Sequence, residues 1–304
     1  MKRDVKIIQL MIGTSSIRLF PASTNRTNNG DEEIGESFIY EQCKLLIEEG
    51  GITEEPVNLP LLASLRGVNR IQEEHMKEAG KLIPVEGGKL HISLRSSDSR
   101  ERKNFSLGHE ITHTFFPDYK LKPHMRAEKN IGEYDSKNRV ECLCDFGASH
   151  LLMPDKLFGP KFAQTGFSIA GLKALAETFH ASLEATGMKI VAESPEEYAF
   201  VVWEEKFKPS EKYASTMPIL FEEYRPQKKL RVKFGFGFQN MGHLAAEKSL
   251  EESTSIIQAA FNRDKFQKGK AEINFGNFSV KCEIEAIPSH FQNRKRVLSV
   301  LRRV

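Results

Sequence analysis

Apolar and polar positions divide this chain into a helix-rich first part and a strand-rich last part. Phe38, Cys43, Leu46 and Ile47 recur at helical intervals over residues 35 to 50, and Gly50-Gly51 stops the pattern. A second helix is predicted from Asn58, an N-cap residue, to a stop at Gly67. Residues 82 to 94 read as a β-hairpin turning at Gly87-Gly88. A helix follows from about Arg102 to Phe116, ended by Pro117. A loop with Pro123 and Gly132 then leads to a helix from about Lys137 to Met153, closed by Pro154. Ser168 and Ser182 have the character of N-caps for two more helices.

Beyond Pro195 the period changes. Tyr198 to Trp203, Leu230 to Phe238 and a hairpin from Ala271 to Ile287, turning near Gly276-Asn277, read as strands around a helix near Leu244 to Phe261. The fold class expected is therefore α+β. The chain divides into an N-terminal extension (residues 1–34), a core (35–166), a helix-turn-helix-like segment (167–194) and a C-terminal α+β domain (195–304) suited to a regulatory or sensor role. The extension is polar around Ser23 to Gly30, as mobile loops are. A length of 304 residues agrees with about two domains.

Chemistry concentrates in His109-Glu110-Ile111-Thr112-His113, an H-E-x-x-H pattern on the fourth predicted element. On a helix, residues four apart share a face, so both imidazoles can reach one metal ion. Glu110 then sits where its carboxylate faces the attacking water as general base. A catalytic zinc takes about three protein ligands and keeps a position open for water. A third His beyond His113 is excluded in the arrangement that needs a Gly first, because the required positions hold Phe116 and Tyr119. Glu141 to Asp145 supplies E-x-x-x-D at helical spacing: Glu141 as third ligand, Asp145 to accept the outer N–H of a ligating His and fix its tautomer. Glu128 and Glu133 are nearer in sequence, but neither has an acid one turn later, and both lie in the polar loop.

The two motifs together carry a resemblance. Phe105 to His113, reading F-S-L-G-H-E-I-T-H, and Glu141 to Pro154, reading E-C-L-C-D-F-G-A-S-H-L-L-M-P, resemble the ImmA/IrrE metallopeptidases. Pro56 to Val68 resembles that family's short N-terminal helix, Gly88 to Leu94 its strand before the active-site helix, and Phe167 to Ala185 its later helical segment. The likeness runs over roughly residues 35 to 193. Two positions depart from it: Gly147 stands where an aromatic is usual, with Phe146 displaced by one, and His150 occupies an often acidic position. The resemblance implies a zincin-like minimal core of a small sheet plus active-site helices, a Zn2+ cofactor, and a protein substrate, namely a cytoplasmic helix-turn-helix repressor. It also implies cleavage in a stress or mobile-element response. Some family members carry a GAF-like domain after this region.

Other residues carry expectations of their own. An extended substrate is expected to add to the edge of the strand Lys89, Leu90, His91, Ile92, Ser93 and Leu94 through main-chain hydrogen bonds. Tyr119, His124 and Tyr134, in the loop between the metal helices, are candidates to stabilise the oxyanion, though each reads as well as an ordinary loop residue. Cys142-x-Cys144 has no second pair to complete a thiolate zinc site, and Cys144 reads as packing near the metal. His150, nine residues after Glu141, faces about half a turn away and is read as surface or core. The segment 168–191 admits a DNA-binding reading, but its second helix offers only Lys189 as a cation, so direct nucleic-acid binding is not expected. Arg294-Lys295-Arg296 and Arg302-Arg303 read as a solvated basic tail.

Composition changes little in this picture. A net charge of +3 argues for neither nucleic acid nor membrane. No run approaches the roughly 18 apolar residues of a membrane span. Residues 1–12 imitate a signal peptide only faintly, and four Cys in 304 residues do not make a disulfide framework. The location expected is cytoplasmic. Two other classes remain: a non-catalytic zinc-binding regulator and a DNA-binding regulator using residues 168–191.

Overall fold

Two sheets, each with its own helices, make the α+β fold of the computed structural model, which describes residues 34–119, 124–126, 139–194, 197–208, 227–238, 255–274, 279–291 and 294–304. Residues 1–33 of the N-terminal extension, Glu128, Glu133, Tyr134 and the first part of the helix expected near Leu244 lie outside the described residues.

Helix α1 (Glu36–Glu49) buries Ile39, Cys43, Leu46 and Ile47, and the chain turns at Gly51 with φ of 59°. Such a left-handed backbone suits glycine, which has no Cβ to clash. Helix α2 (Leu59–Leu65) is capped by Asn58, whose side chain accepts a 3.1 Å hydrogen bond from Leu61 N–H. The first sheet contains β1 (Val68–Glu74), β2 (Gly80–Val85), β3 (Lys89–Arg95) and β4 (His124–Arg126), in the order β1-β3-β2-β4. β2 and β3 form the expected hairpin through Gly87 and Gly88, both at positive φ.

β1 has no counterpart in the sequence reading, because Val68-Asn-Arg-Ile-Gln-Glu-Glu shows no clean alternation of period two. Its presence overturns one expectation. The strand Lys89 to Leu94 is not an edge: β3 pairs with β1 in parallel on one side and with β2 antiparallel on the other. From Leu90 through His91, Ile92 and Ser93 to Leu94 the strand is paired on both sides, and only Lys89 at its start is paired on one, so the segment cannot take an added strand. The near-unbroken burial from Leu90 to Arg95 fits an interior strand. The edges of this sheet, among the described residues, are β1 and β4.

Helix α3 (Arg100–His113) follows β3, capped by Ser99, which accepts from Arg102 N–H. At its other end Arg66 donates to Thr114 Oγ1 and to Thr114 O at 2.9 and 2.7 Å, placing a cation at the helix C-terminus, where it is favoured. Helix α4 (Arg139–Leu152) lies against α3, and α5 (Asp155–Thr165), α6 (Ile169–Thr178) and α7 (Leu183–Glu193) complete the helical part. Ser168 and Ser182 cap α6 and α7, accepting from Gly171 N–H at 3.0 Å and Ala185 N–H at 3.1 Å.

The second sheet has β5 (Tyr198–Lys206), β6 (Lys229–Gly237), β7 (Gln267–Asn274), β8 (Ser279–Phe291) and β9 (Arg294–Arg303), in the antiparallel order β6-β5-β9-β8-β7. Its core gathers Val201, Trp203, Val232, Ile284, Val297 and Leu301 beneath α8 (Ser255–Arg263), which buries Ile257 and Ala260. The terminal segment expected as a solvated basic tail is instead its middle strand. Val297, Leu298, Val300 and Leu301 are buried, while Arg296 pairs with Glu204 at 2.8 Å and Arg302 pairs with Glu283. The apolar run between the basic clusters decides the outcome.

Candidate metal centre

Helices α3 and α4 approach unusually closely because small residues face each other. A Cβ added at Gly108 would stand 3.2 Å from Ala148 Cα, and one at Gly147 would stand 2.5 Å from the Thr112 side chain. Gly147, which departs from the family pattern, is thus where Thr112 nests. The displaced aromatic, Phe146, is buried on the other side and packs on His150 with ring centroids 4.4 Å apart.

This approach brings His109, His113, Glu141 and Asp145 together. Asp145 Oδ1 lies 2.7 Å from His109 Nδ1. A carboxylate accepts, so Nδ1 carries the hydrogen and Nε2 presents its lone pair. That Nε2 faces Glu141 Oε2 at 3.3 Å, and His113 Nε2 faces Glu141 Oε1 at 3.5 Å. The imidazoles are almost wholly buried, at 1 % side-chain exposure each, while Glu141 keeps 23 %. Glu141 is thus the most solvent-exposed of the three side chains.

The spacing suits a tetrahedral ion. Bonds of about 2.0–2.1 Å from His N and carboxylate O to zinc give ligand atoms roughly 3.3–3.4 Å apart. Both distances to Glu141 fall close to this edge. Cys144 is also near: its Sγ and the ligand nitrogens of His109 and His113 lie within 4.8 Å of one another. Two donor sets thus share the imidazoles, one completed by Glu141 and one by Cys144. The carboxylate is the better fit, because it reaches both nitrogens at bonding spacing and leaves a solvent-facing side. Glu110 is fully buried and stands against the first sheet, where a Cβ at Gly80 would lie 2.5 Å from its Oε1. Nothing in the sequence marks Gly80, which is an ordinary strand residue until the fold sets it beside Glu110.

Residues 66–191 match the peptidase M78 family model, described as the IrrE N-terminal-like domain. This segment is similar to that domain of the ImmA/IrrE metallopeptidases. Both halves of the His109, His113, Glu141 and Asp145 constellation lie inside the matched segment. No curated protein matches the chain. Among solved structures, a Mycobacterium tuberculosis transcriptional regulator is similar in fold, with a TM-score of 0.55 and 10 % identity over 88 % of this chain and 80 % of that one.

The remaining residues of interest sit around the IrrE-like domain's centre or away from it. Tyr119 lies just past the turn that ends α3, half-buried. His124 falls on β4, whose backbone alone is described, and Tyr134 lies outside the described residues. His150 points away from the imidazole pair, into a cluster with Tyr40, Asp155 and Lys189. Tyr40 OH donates to Asp155 Oδ2 at 2.9 Å, Lys189 Nζ lies 3.3 Å from His150 Nδ1, and Lys189 also pairs with Asp155. Burial, then the nearby Lys189 charge, lowers the His150 pKa. Burial and the Asp155 carboxylate push the Tyr40 hydroxyl up to about 12. No helix among the described residues is long and apolar enough to cross a membrane.

Proposed function

We propose that this protein is a zinc-dependent endopeptidase, with His109, His113 and Glu141 as the ligands and Glu110 as the general base. The observation that carries this reading is the Glu141 carboxylate spanning both imidazoles at 3.3 and 3.5 Å. Bound zinc would supply Lewis acidity, which acidifies water and polarises a scissile carbonyl. Glu110 takes the proton of the attacking water and passes it to the leaving amine. Asp145 holds His109 in one tautomer and orientation. Its buried surroundings keep bulk water from Glu110 and the imidazoles, which strengthens electrostatic interactions there.

The substrate we assign is a cytoplasmic helix-turn-helix repressor, cleaved in a stress or mobile-element response, and the support is the similarity of residues 66–191 to the IrrE N-terminal-like domain. With β3 interior, an extended segment would dock on an edge of the first sheet, β4 or β1. Residues 195–304 are assigned a regulatory role by analogy alone. The DNA-binding alternative loses its main cation, since Lys189 on α7 is 3 % exposed and paired with Asp155. A purified repressor encoded beside the gene, incubated with the protein with and without a chelator, tests the reading. Cleavage that the chelator abolishes and zinc restores is expected. Stoichiometric binding with no cut product in the presence of zinc would favour a non-catalytic regulator.

A further inference from the structure

Gly80 opens β2, with Leu94 of β3 opposite on one side and Arg126 of β4 on the other. Its φ is not positive, and the backbone there is ordinary strand, so conformational freedom does not call for glycine. On backbone grounds alone, alanine would be the better residue, because it lowers the entropy of the unfolded chain. The space beside Gly80 reverses that preference. A Cβ would stand 2.5 Å from Glu110 Oε1 and 3.2 Å from both Cδ and Cγ of the same side chain. No other group approaches that Cβ as closely, and Glu110 is fully buried, so its carboxylate has little room to yield.

We propose that Gly80 is a positioning residue for the general base: the missing side chain is the slot that holds the Glu110 carboxylate at its working place. The inference rests on the reading of Glu110 as base. A methyl at Gly80 displaces the end of a side chain and leaves the backbone of α3 in place, so it moves the carboxylate without touching His109, His113 or Glu141. Displacement of a reacting group by about 1 Å can cost on the order of 100-fold in rate.

Two measurements test it on the full chain. The first needs no substrate: a thermal-unfolding cycle of Gly80→Ala, Glu110→Ala and the double variant. Gly80→Ala lowers Tm in the parent and leaves it unchanged or raises it in the Glu110→Ala background, where the methyl meets a void. An equal loss of Tm in both backgrounds would overturn the proposal. The second uses the repressor assay and zinc analysis. Gly80→Ala keeps its zinc, keeps KM within a small factor and loses roughly 10–100-fold in kcat. The same substitution costs little further in the Glu110→Asp background, whose shorter side chain withdraws from the methyl. Unchanged kcat in Gly80→Ala, with Glu110→Gln inactive, would overturn this inference alone. Full activity in Glu110→Gln would overturn it together with the assignment of the base.

Discussion

Asp145 and His109 are joined across two helices by a 2.7 Å contact between Oδ1 and Nδ1, and this contact turns the His109 Nε2 toward Glu141. Residues four apart on α4 thereby act on one imidazole from two sides. Asp145→Ala should leave the fold intact and reduce zinc affinity or activity by about 10–100-fold, the usual cost of losing such a partner. Zinc titration with a competing chelator reads the affinity. Unchanged affinity and activity would mean that His109 is oriented by other contacts.

The third ligand is decided by a pair of substitutions. The purified protein should hold about one zinc per chain. Glu141→Gln should weaken that strongly, while Cys144→Ser should leave it nearly unchanged, although Cys144 Sγ lies within the same cluster. Elemental analysis of the two variants after dialysis distinguishes them. Retention by Glu141→Gln with loss in Cys144→Ser would place a thiolate in the ligand set.

His150 behaves differently from Asp145. It is enclosed by Tyr40, Phe146, Lys189 and Asp155, so His150→Ala should keep zinc but lower stability. Lys189→Met should leave zinc content intact as well. Its cost should not exceed about 3 kcal/mol, the low end for breaking a buried pair, because the Asp155 side chain is 38 % exposed. Chemical denaturation measures both; loss of zinc in either would tie this cluster directly to the metal.

The same cluster sets a dependence on acid. Burial, then the Lys189 charge, lowers the His150 pKa from its ordinary 6.5. Burial alone would raise Asp155, but the His150 hydrogen bond and the Lys189 charge hold it well below its ordinary 3.8. The other ionisable groups facing the cluster, among the described residues, are Tyr40, Glu41 and Cys43 on α1 and Glu193 on α7, and burial pushes the Cys43 thiol up. An unfolded chain protonates His150 first as pH falls below about 6.5, so this stability is lost on acidification through that window and downward. The Asp155 contribution is present above 3.8 and is lost only as pH falls through its lowered folded value. Tm measured from neutral to acid pH should fall, and His150→Gln should flatten the slope just below pH 6.5. An identical slope in His150→Gln would assign the acid sensitivity elsewhere.

Much of this was legible from spacing alone. Asn58, Ser168 and Ser182 cap helices as their residue types suggest, and Gly87-Gly88 turns the hairpin. His109, His113, Glu141 and Asp145 were legible because helical phase is a local property. What escaped depends on contacts distant in sequence. β1 has a single apolar residue on each face, Val68 and Ile71, and becomes a strand by pairing with β3, which in turn removes β3 as an edge. β9 looked like a tail because its charges stand at both ends of a short apolar run. Gly80 and Gly147 carry no signal of their own, since the value of an absent side chain is set by Glu110 and Thr112 across the interface.

The central claim is that Glu110 moves the proton while the imidazoles and Glu141 hold the metal. Glu110→Gln keeps size and hydrogen-bonding capacity but removes the base. Zinc content and cleavage of the repressor should be measured on the same preparation of this variant and of the parent. Zinc should remain at the parental level while cleavage falls by roughly 100- to 10,000-fold. A Glu110→Gln protein that retains zinc and cleaves as fast as the parent would contradict the account.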